Sequence, residues 1–292
     1  MYYVVYGLLW LISLLPLRIL FILSDFIYLL AYYVFRYRKK IVMQNLLHAF
    51  PEKSETERIK IAKKFYRNLT DTIVETVKLF SASKKFILKH MRCNNEIFEK
   101  IHKNGQRCHL HLGHNFNWEL ANLSLPLYSS FLCLDVYIPA TSKIAERLIQ
   151  KLRTRTGTVL IPATTISRSL LPYRHKQYLL IMVADQNPGD PGNAWWVNFF
   201  GKPLSFVKGP EKAARHSNAP VVFVYIKKTK RGYYEGVLSL MHEKPAELPE
   251  GELTRQYVRL LEQVIRQHPE MWLWSHRRWR WEWNPGYGPV LE

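Results

Sequence analysis

The chain has 292 residues, 48% of them hydrophobic, and a formal net charge of +19 from 42 Lys and Arg against 23 Asp and Glu. That length can bury a sizeable core, and that charge implies an anionic partner: lipid phosphates, an acidic carrier protein or nucleic acid. Three scattered cysteines (Cys93, Cys108, Cys133) exclude a disulfide framework, and no zinc-finger spacing, RNP-type strand or basic heptad marks a nucleic-acid module.

Residues 1–35 carry only two charges, Arg18 and Asp25, which cancel. As one helix they would reach about 50 Å, more than the roughly 30 Å hydrocarbon core of a bilayer. Pro16 divides them, because proline breaks or kinks a helix. No basic segment precedes the apolar run and no small-residue cleavage site follows, so it reads as a retained anchor. Arg36-Tyr-Arg-Lys-Lys40 then places four basic residues in five, a cluster that stays cytoplasmic and is drawn to anionic headgroups. The division expected is an anchor at 1–35 and one catalytic domain at 36–292, on the cytoplasmic face of the membrane.

Beyond the anchor, strands and helices alternate. Residues 54–80 read as a long amphipathic helix opened by the capping-box pattern Ser54-Glu-Thr-Glu57. Short apolar runs of strand composition lie at 106–112, 131–137, 158–161, 178–184 and 221–226, with helical patterns near 117–125, 142–153 and 208–216 between them. Residues 232–241 predict an antiparallel strand and 252–267 a last helix. The expected fold is therefore α/β, a central mixed sheet flanked by helices and preceded by a helical membrane anchor. In such sheets ligands collect at the carboxyl ends of strands. His114, Arg155, Asp185 and Gln186 all fall near such ends or in adjoining connections.

His114-Asn-Phe-Asn-Trp-Glu119 is the sharpest chemical signal. Five helical residues turn about 500°, so His114 and Glu119 would diverge on one regular helix. They meet only if His114 lies in a loop and Glu119 in the first turn of the next helix. Gly113 supplies the turn, and Asn115 or Asn117 the cap. Glu119 would orient His114 as general base toward a hydroxyl. The second His-x4-acid match, His242 with Glu247, lies in a Pro-punctuated stretch that reads as surface loop. Arg153 and Arg155 could grip a phosphate, or be solvated helix-end charges. Asp185 and Gln186 could hydrogen-bond a substrate, or complete a turn. Lys227-Lys-Thr-Lys-Arg231 reads as a solvated turn, or as a basic turn that could dock an acidic carrier protein. Five of nine tryptophans lie in 272–283 among arginines, a composition that suits the membrane interface or a core-closing strand. Burial is expected for Trp272 and Trp274, and a wet, lipid-facing role for the later ones.

Six segments in order resemble the late acyltransferases of lipid A biosynthesis, the lauroyl/myristoyl transferases of Gram-negative inner membranes. They are Leu112-Gly-His-Asn-Phe-Asn-Trp-Glu119, Leu152-Arg-Thr-Arg-Thr-Gly157, Ala184-Asp-Gln186, Phe199-Phe-Gly201, Ala213-Ala-Arg-His-Ser-Asn-Ala-Pro-Val221 and Trp272-Leu-Trp-Ser-His-Arg-Arg-Trp279. The likeness covers nearly the whole chain. It implies an acyl-carrier-protein thioester as donor, a hydroxyacylated glucosamine disaccharide phosphate as acceptor, and the inner membrane as location. The chemistry expected is direct transfer, with no cofactor and no metal. Thr156 stands where an aromatic is common, and the stretch 187–196 has its own composition. These departures leave a lysophospholipid or an amino-acid lipid open as acceptor. A different class also stands: His109-x-His111-x-x-His114 could bind zinc with Asp185 in a metal-dependent hydrolase. A non-catalytic membrane adaptor would explain the charge but not the His114 segment.

Overall fold

A computed structural model describes residues 1–292. The helices are α1 (Tyr2–Leu14), α2 (Leu17–Leu29), α3 (Lys39–Ala49), α4 (Glu55–Lys78), α5 (Lys84–His90), α6 (Glu96–Lys103), α7 (Trp118–Tyr128), α8 (Lys143–Arg153), α9 (Ile166–Leu170), α10 (Gly209–Ser217) and α11 (Glu252–Gln267). The strands are β1 (Met91–Cys93), β2 (Cys108–Leu112), β3 (Leu132–Tyr137), β4 (Val159–Pro162), β5 (Tyr178–Val183), β6 (Ala194–Phe199), β7 (Lys202–Val207), β8 (Val221–Lys230), β9 (Tyr233–His242) and β10 (Val290–Leu291).

Seven strands form the main sheet in the order β1-β9-β8-β2-β5-β3-β4. Only β8 and β9 pair antiparallel, so the sheet is mixed. The central strands are continuous apolar runs because both faces are covered. Cys108, Leu110 and Leu112 point to one face, where Phe98 of α6 and Leu125 of α7 join their core. His109 and His111 alternate to the other. There Leu180 and Met182 of β5 pack with Ile166 and Leu170 of α9 and Ala213 of α10, and Phe223 meets Tyr257 of α11.

The helix over 54–80 forms with both halves of its capping box: Ser54 Oγ accepts from Glu57 N–H, and Ser54 N–H donates to Glu57 Oε2 at 2.8 Å. Proline at position 16 separates α1 from α2, and α2 runs on through a π-helical turn, Leu30–Val34. Leu17–Val34 is long and apolar enough to cross a membrane. One stripe of it, Leu20, Ser24, Tyr28 and Tyr32, is buried. Ser24 Oγ donates to Asp71 Oδ1 of α4 at 2.8 Å. The opposite face exposes Ile19, Ile22, Leu23, Phe26 and Val34.

Two expectations are corrected. Lys227–Arg231 is not a freely solvated turn: Lys228 Nζ lies 3.1 Å from Asp71, and Arg231 bridges Asp71 and Asp25 at 2.7 Å each. The hairpin tip of β8–β9 is thereby tied to both α2 and α4. A second sheet, β10-β6-β7, is built on two strands in the stretch after Asn187, where none is expected, with β10 pairing along β6. Its residues lie among Pro191, Gly192, Gly201 and Pro203, which break the period-two signal.

Candidate active site

Sheet order assembles the site. Strands β2 and β5 are parallel neighbours, with Leu112 opposite Val183. The loops that follow them therefore leave the carboxyl edge side by side. Leu112 C=O accepts from Ala184 N–H and from Tyr257 O–H, both at 2.9 Å, which pins the edge where the two loops begin. His114 and Asp185 occupy equivalent steps past the ends of the two strands. His114 Nδ1 lies 2.5 Å from Asp185 Oδ1, and His114 N–H donates to Asp185 Oδ2 at 2.8 Å. Gly113 is bare for this reason: a Cβ there would stand 2.7 Å from Leu261 Cδ1 and 3.2 Å from Asp185 Oδ2.

Asp185 is buried and also accepts from Trp272 Nε1 at 2.7 Å. Burial alone would raise its carboxyl. The neighbouring His114 and the hydrogen bonds from His114 and Trp272 outweigh burial and hold it down at about 2. An ionised Asp185 accepts Nδ1–H, so in the neutral imidazole the lone pair is on His114 Nε2. Gln186 Nε2 stands 3.3 Å from that nitrogen, and Trp118 meets the ring edge-on. The closing segment supports the arrangement from behind: Phe116 N–H donates to Met271 C=O at 3.0 Å, and Asn115 bridges to Trp272.

Asn117 caps α7 by accepting from Leu120 N–H at 3.2 Å, and Glu119 lies in the first turn. Glu119 does not reach the His114 ring. Its carboxylate takes a two-pronged contact from Arg153, 2.6 and 3.0 Å, and a bond from Trp118 Nε1 at 3.1 Å. Arg153 also lies 3.8 Å from Asp135. Burial works against the Arg153 charge, but Glu119 and Asp135 hold it firmly protonated. Asp135, buried on β3 beside Glu119, is pushed up to about 7 by that burial, with Arg153 opposing. Arg155 lies apart: its guanidinium donates to the Leu79 and Ala82 carbonyls and ties the end of α8 to the α4–α5 turn. His114, Asp185 and Gln186 are thus brought together, Glu119 and Arg153 pair with each other, and Arg155 joins neither group.

Three side chains at this site escaped the sequence. Trp272 was read only for burial, yet its indole holds Asp185. His276 lines a small cleft with His114, Asp185, Gln186 and Trp272; burial, then Arg278, lowers its pKa. Asp135 carried a usable signal, a carboxylate inside an apolar strand. As for the zinc spacing, His109 Nε2 faces Ser217 Oγ at 3.0 Å and His111 packs against Tyr257, while His114 sits past the strand end. No three His, Cys, Asp or Glu side chains are placed to hold one metal ion.

His114, Trp118, Arg153 and Gln186 line a mostly apolar cavity of about 1270 Å³. A histidine oriented by a buried carboxylate, on the wall of such a cavity, can deprotonate a hydroxyl carried on a lipid-sized molecule. No curated protein matches the chain. A family model described as bacterial lipid A biosynthesis acyltransferase matches residues 1–281, so the chain belongs to the bacterial lipid A biosynthesis acyltransferase family.

Proposed function

We propose that the chain is an O-acyltransferase of the inner membrane's cytoplasmic face. It moves a fatty acyl group from an acyl-carrier-protein thioester to a hydroxyl of a lipid A precursor. The observation that carries this reading is the His114–Asp185 pair on the wall of a mostly apolar cavity of about 1270 Å³. Nε2 takes the acceptor's hydroxyl proton as the oxygen attacks the thioester carbonyl. Asp185 stays ionised and stabilises the imidazolium that forms. Gln186 Nε2, already within 3.3 Å of the base, is placed to donate to the developing oxyanion. The tetrahedral intermediate then collapses, the C–S bond breaks, and the leaving thiolate takes the proton back from His114. Glu119 holds Arg153 at the cavity wall, where its charge faces the anionic acceptor. The exposed stripe of α2 and the apolar surface of α1 supply the membrane contact.

The test is lipid mass spectrometry of a Gram-negative host that lacks one late acyltransferase and expresses this chain or its His114→Ala variant. A lipid A mass gain of one acyl chain with the wild type alone is the expected result. A gain in another lipid would keep the chemistry and replace the acceptor. No change in any lipid from well-expressed membrane-bound protein would sink the proposal.

A further inference from the structure

The apolar amino-terminal helices are fastened to the catalytic domain along their whole length. α2 runs antiparallel to α4. Tyr32 meets Tyr66 edge-on, the Arg67 guanidinium stands 5.1 Å from the centre of the Tyr28 ring, and Ser24 Oγ donates to Asp71 Oδ1 at 2.8 Å. At the break between α1 and α2, Lys78 Nζ donates to the Ser13 and Leu15 carbonyls at 2.8 and 3.0 Å. α1 continues the attachment: Tyr6 packs on Phe80, and Arg147 and Lys151 of α8 lie over the Tyr2 and Tyr6 rings at 4.1 and 4.2 Å. Beyond α2, Arg38 Nη1 donates to the Ser275 carbonyl at 3.1 Å.

α4 cannot follow α2 into hydrocarbon. Its far side belongs to the domain: Asn68 Nδ2 donates to the Glu270 carbonyl at 2.9 Å, and Glu75 Oε2 accepts from Asn117 and Tyr234 at 2.8 and 2.7 Å. Its outer side carries the exposed Lys60, Lys64 and Arg67. Midway along α2, Asp25 pairs with Arg231, which also bonds Asp71. The apolar helix Leu17–Val34 has 18 residues. That is about 27 Å of rise, against a hydrocarbon core of roughly 30 Å. Crossing a bilayer would use all of it, and would set the Asp25–Arg231–Asp71 cluster near the bilayer centre, where charged groups are costly.

The sides turned away from the domain are apolar. On α1, Val4, Leu8, Leu11 and Leu15 follow one helical stripe; on α2, Ile19, Ile22, Phe26, Leu29 and Tyr33 do the same, and all are exposed. No charged residue falls on either stripe. The flanks are basic and aromatic. Lys39 Nζ lies 4.0 Å from the centre of the Tyr32 ring and Lys63 Nζ 6.0 Å from that of Tyr33, beside the Arg67–Tyr28, Arg147–Tyr2 and Lys151–Tyr6 contacts. Aromatic rings and cations together belong at headgroup level. One apolar side, basic flanks and a polar body behind make the pattern of a helix that lies in a membrane surface.

We propose that α1 and α2 lie in the plane of one bilayer leaflet and do not cross it, with their apolar stripes among the acyl chains and their basic flanks at the level of the lipid phosphates. This rests on the membrane contact given above and fixes its form: both ends of the chain stay on one side of the bilayer. The seating also bears on the site. α8 lends Arg147 and Lys151 to α1, and Ile149 and Arg153 to the cavity wall. One helix thus joins the leaflet to the cavity, and a lipid acceptor meets the site at headgroup level without leaving the membrane.

The experiment places the full chain in vesicles of phosphatidylethanolamine and phosphatidylglycerol. Single spin labels are attached at Ile19→Cys, Ile22→Cys, Phe26→Cys, Leu29→Cys and Tyr33→Cys, in a Cys93→Ser background because Cys108 and Cys133 are buried. Depth is read from relaxation by oxygen against a water-soluble nickel chelate. The expected result is one common depth for all five, about 5–10 Å below the phosphates, with a label at Arg147→Cys at phosphate level. A crossing helix would instead spread residues 19 to 33 over about 21 Å of depth, and that gradient overturns the proposal. Labels that all stay in water overturn it as well. Protease digestion of short tags placed ahead of Met1 and after Glu292 gives a second reading. Both should be cut in inverted inner-membrane vesicles and both protected in spheroplasts; tags on opposite sides overturn the in-plane seating. Neither readout needs acyl transfer. A failed seating leaves the His114 chemistry standing, and an inactive chain leaves the seating decidable.

Discussion

His111 and His114 stand three residues apart and live in different chemical worlds. His111 is inside β2, buried, and lowered to about 3 by that burial; its Nε2 has no partner. His114 lies just past the strand, 18% of its side chain exposed, with Nδ1 on a buried carboxylate and the residue on the wall of a cavity. The residue type is the same. What differs is a charge partner and access, the two features on which the proposed role of His114 as base rests. Variants that strip the partner, the access or the ring should grade activity accordingly.

The largest effect belongs to His114→Ala, which removes the proposed base. Acyl transfer should fall by about 10³–10⁴-fold in kcat, with the acceptor KM little changed. Asp185→Asn keeps the shape but loses the charge that fixes the tautomer, and a drop of about 10²–10³-fold is expected by the same assay. Asp185 also predicts an acid limb. Its folded carboxyl sits near 2, below the ordinary value. Its contribution to stability is therefore complete above about pH 4 and lost as pH falls toward 2. Thermal melts of Asp185→Asn should show a shallower loss across that window than wild type; parallel curves would refute the ionised pairing.

Trp272→Phe is a smaller cut at the same support. It leaves one lone pair of a buried carboxylate unmet, a cost of about 1–3 kcal/mol. Activity should fall about tenfold as Asp185 loses its brace. The carboxylate on β3 gives the opposite pH sign. Burial raises Asp135 to about 7, so the folded state keeps a proton that the unfolded state releases. Stability is fully present below about pH 4 and declines as pH rises toward 7. Asp135→Asn should therefore gain on wild type by about 1–3 kcal/mol in melts at pH 8, compared with pH 5. Equal shifts at both pH values would mean that Arg153 already keeps the carboxylate ionised.

The sequence was most legible where a signal is local. The capping box of α4, the break at Pro16, the span of α11 and the apolar runs of β2, β3, β5 and β8 all emerged close to their expected places. Partners far apart in the chain were not legible. Asp185 lies 71 residues from His114, and their meeting depends on β2 and β5 being sheet neighbours, which no spacing reveals. Glu119 looked like the histidine's partner because it was near in sequence; Arg153, 34 residues on, takes its carboxylate. Likewise Lys228 and Arg231 looked solvated until α4 and α2 supplied Asp71 and Asp25. Charge pairing across elements is a property of the packed chain, so a lone charged residue in a sequence carries little of it.

The smallest predicted effect tests the comparison most directly. His111→Phe replaces one flat ring by another in the core between β2 and α11. It removes a buried nitrogen that no group satisfies, which favours the variant, and it adds ring volume next to Tyr257, which opposes it. These effects offset, so stability should move by about 1 kcal/mol or less. Because His111 does not border the cavity, acyl transfer should stay within about twofold of wild type. A loss approaching that of His114→Ala would mean that the two histidines act together, and the division between a reactive carboxyl edge and an inert strand interior would fall.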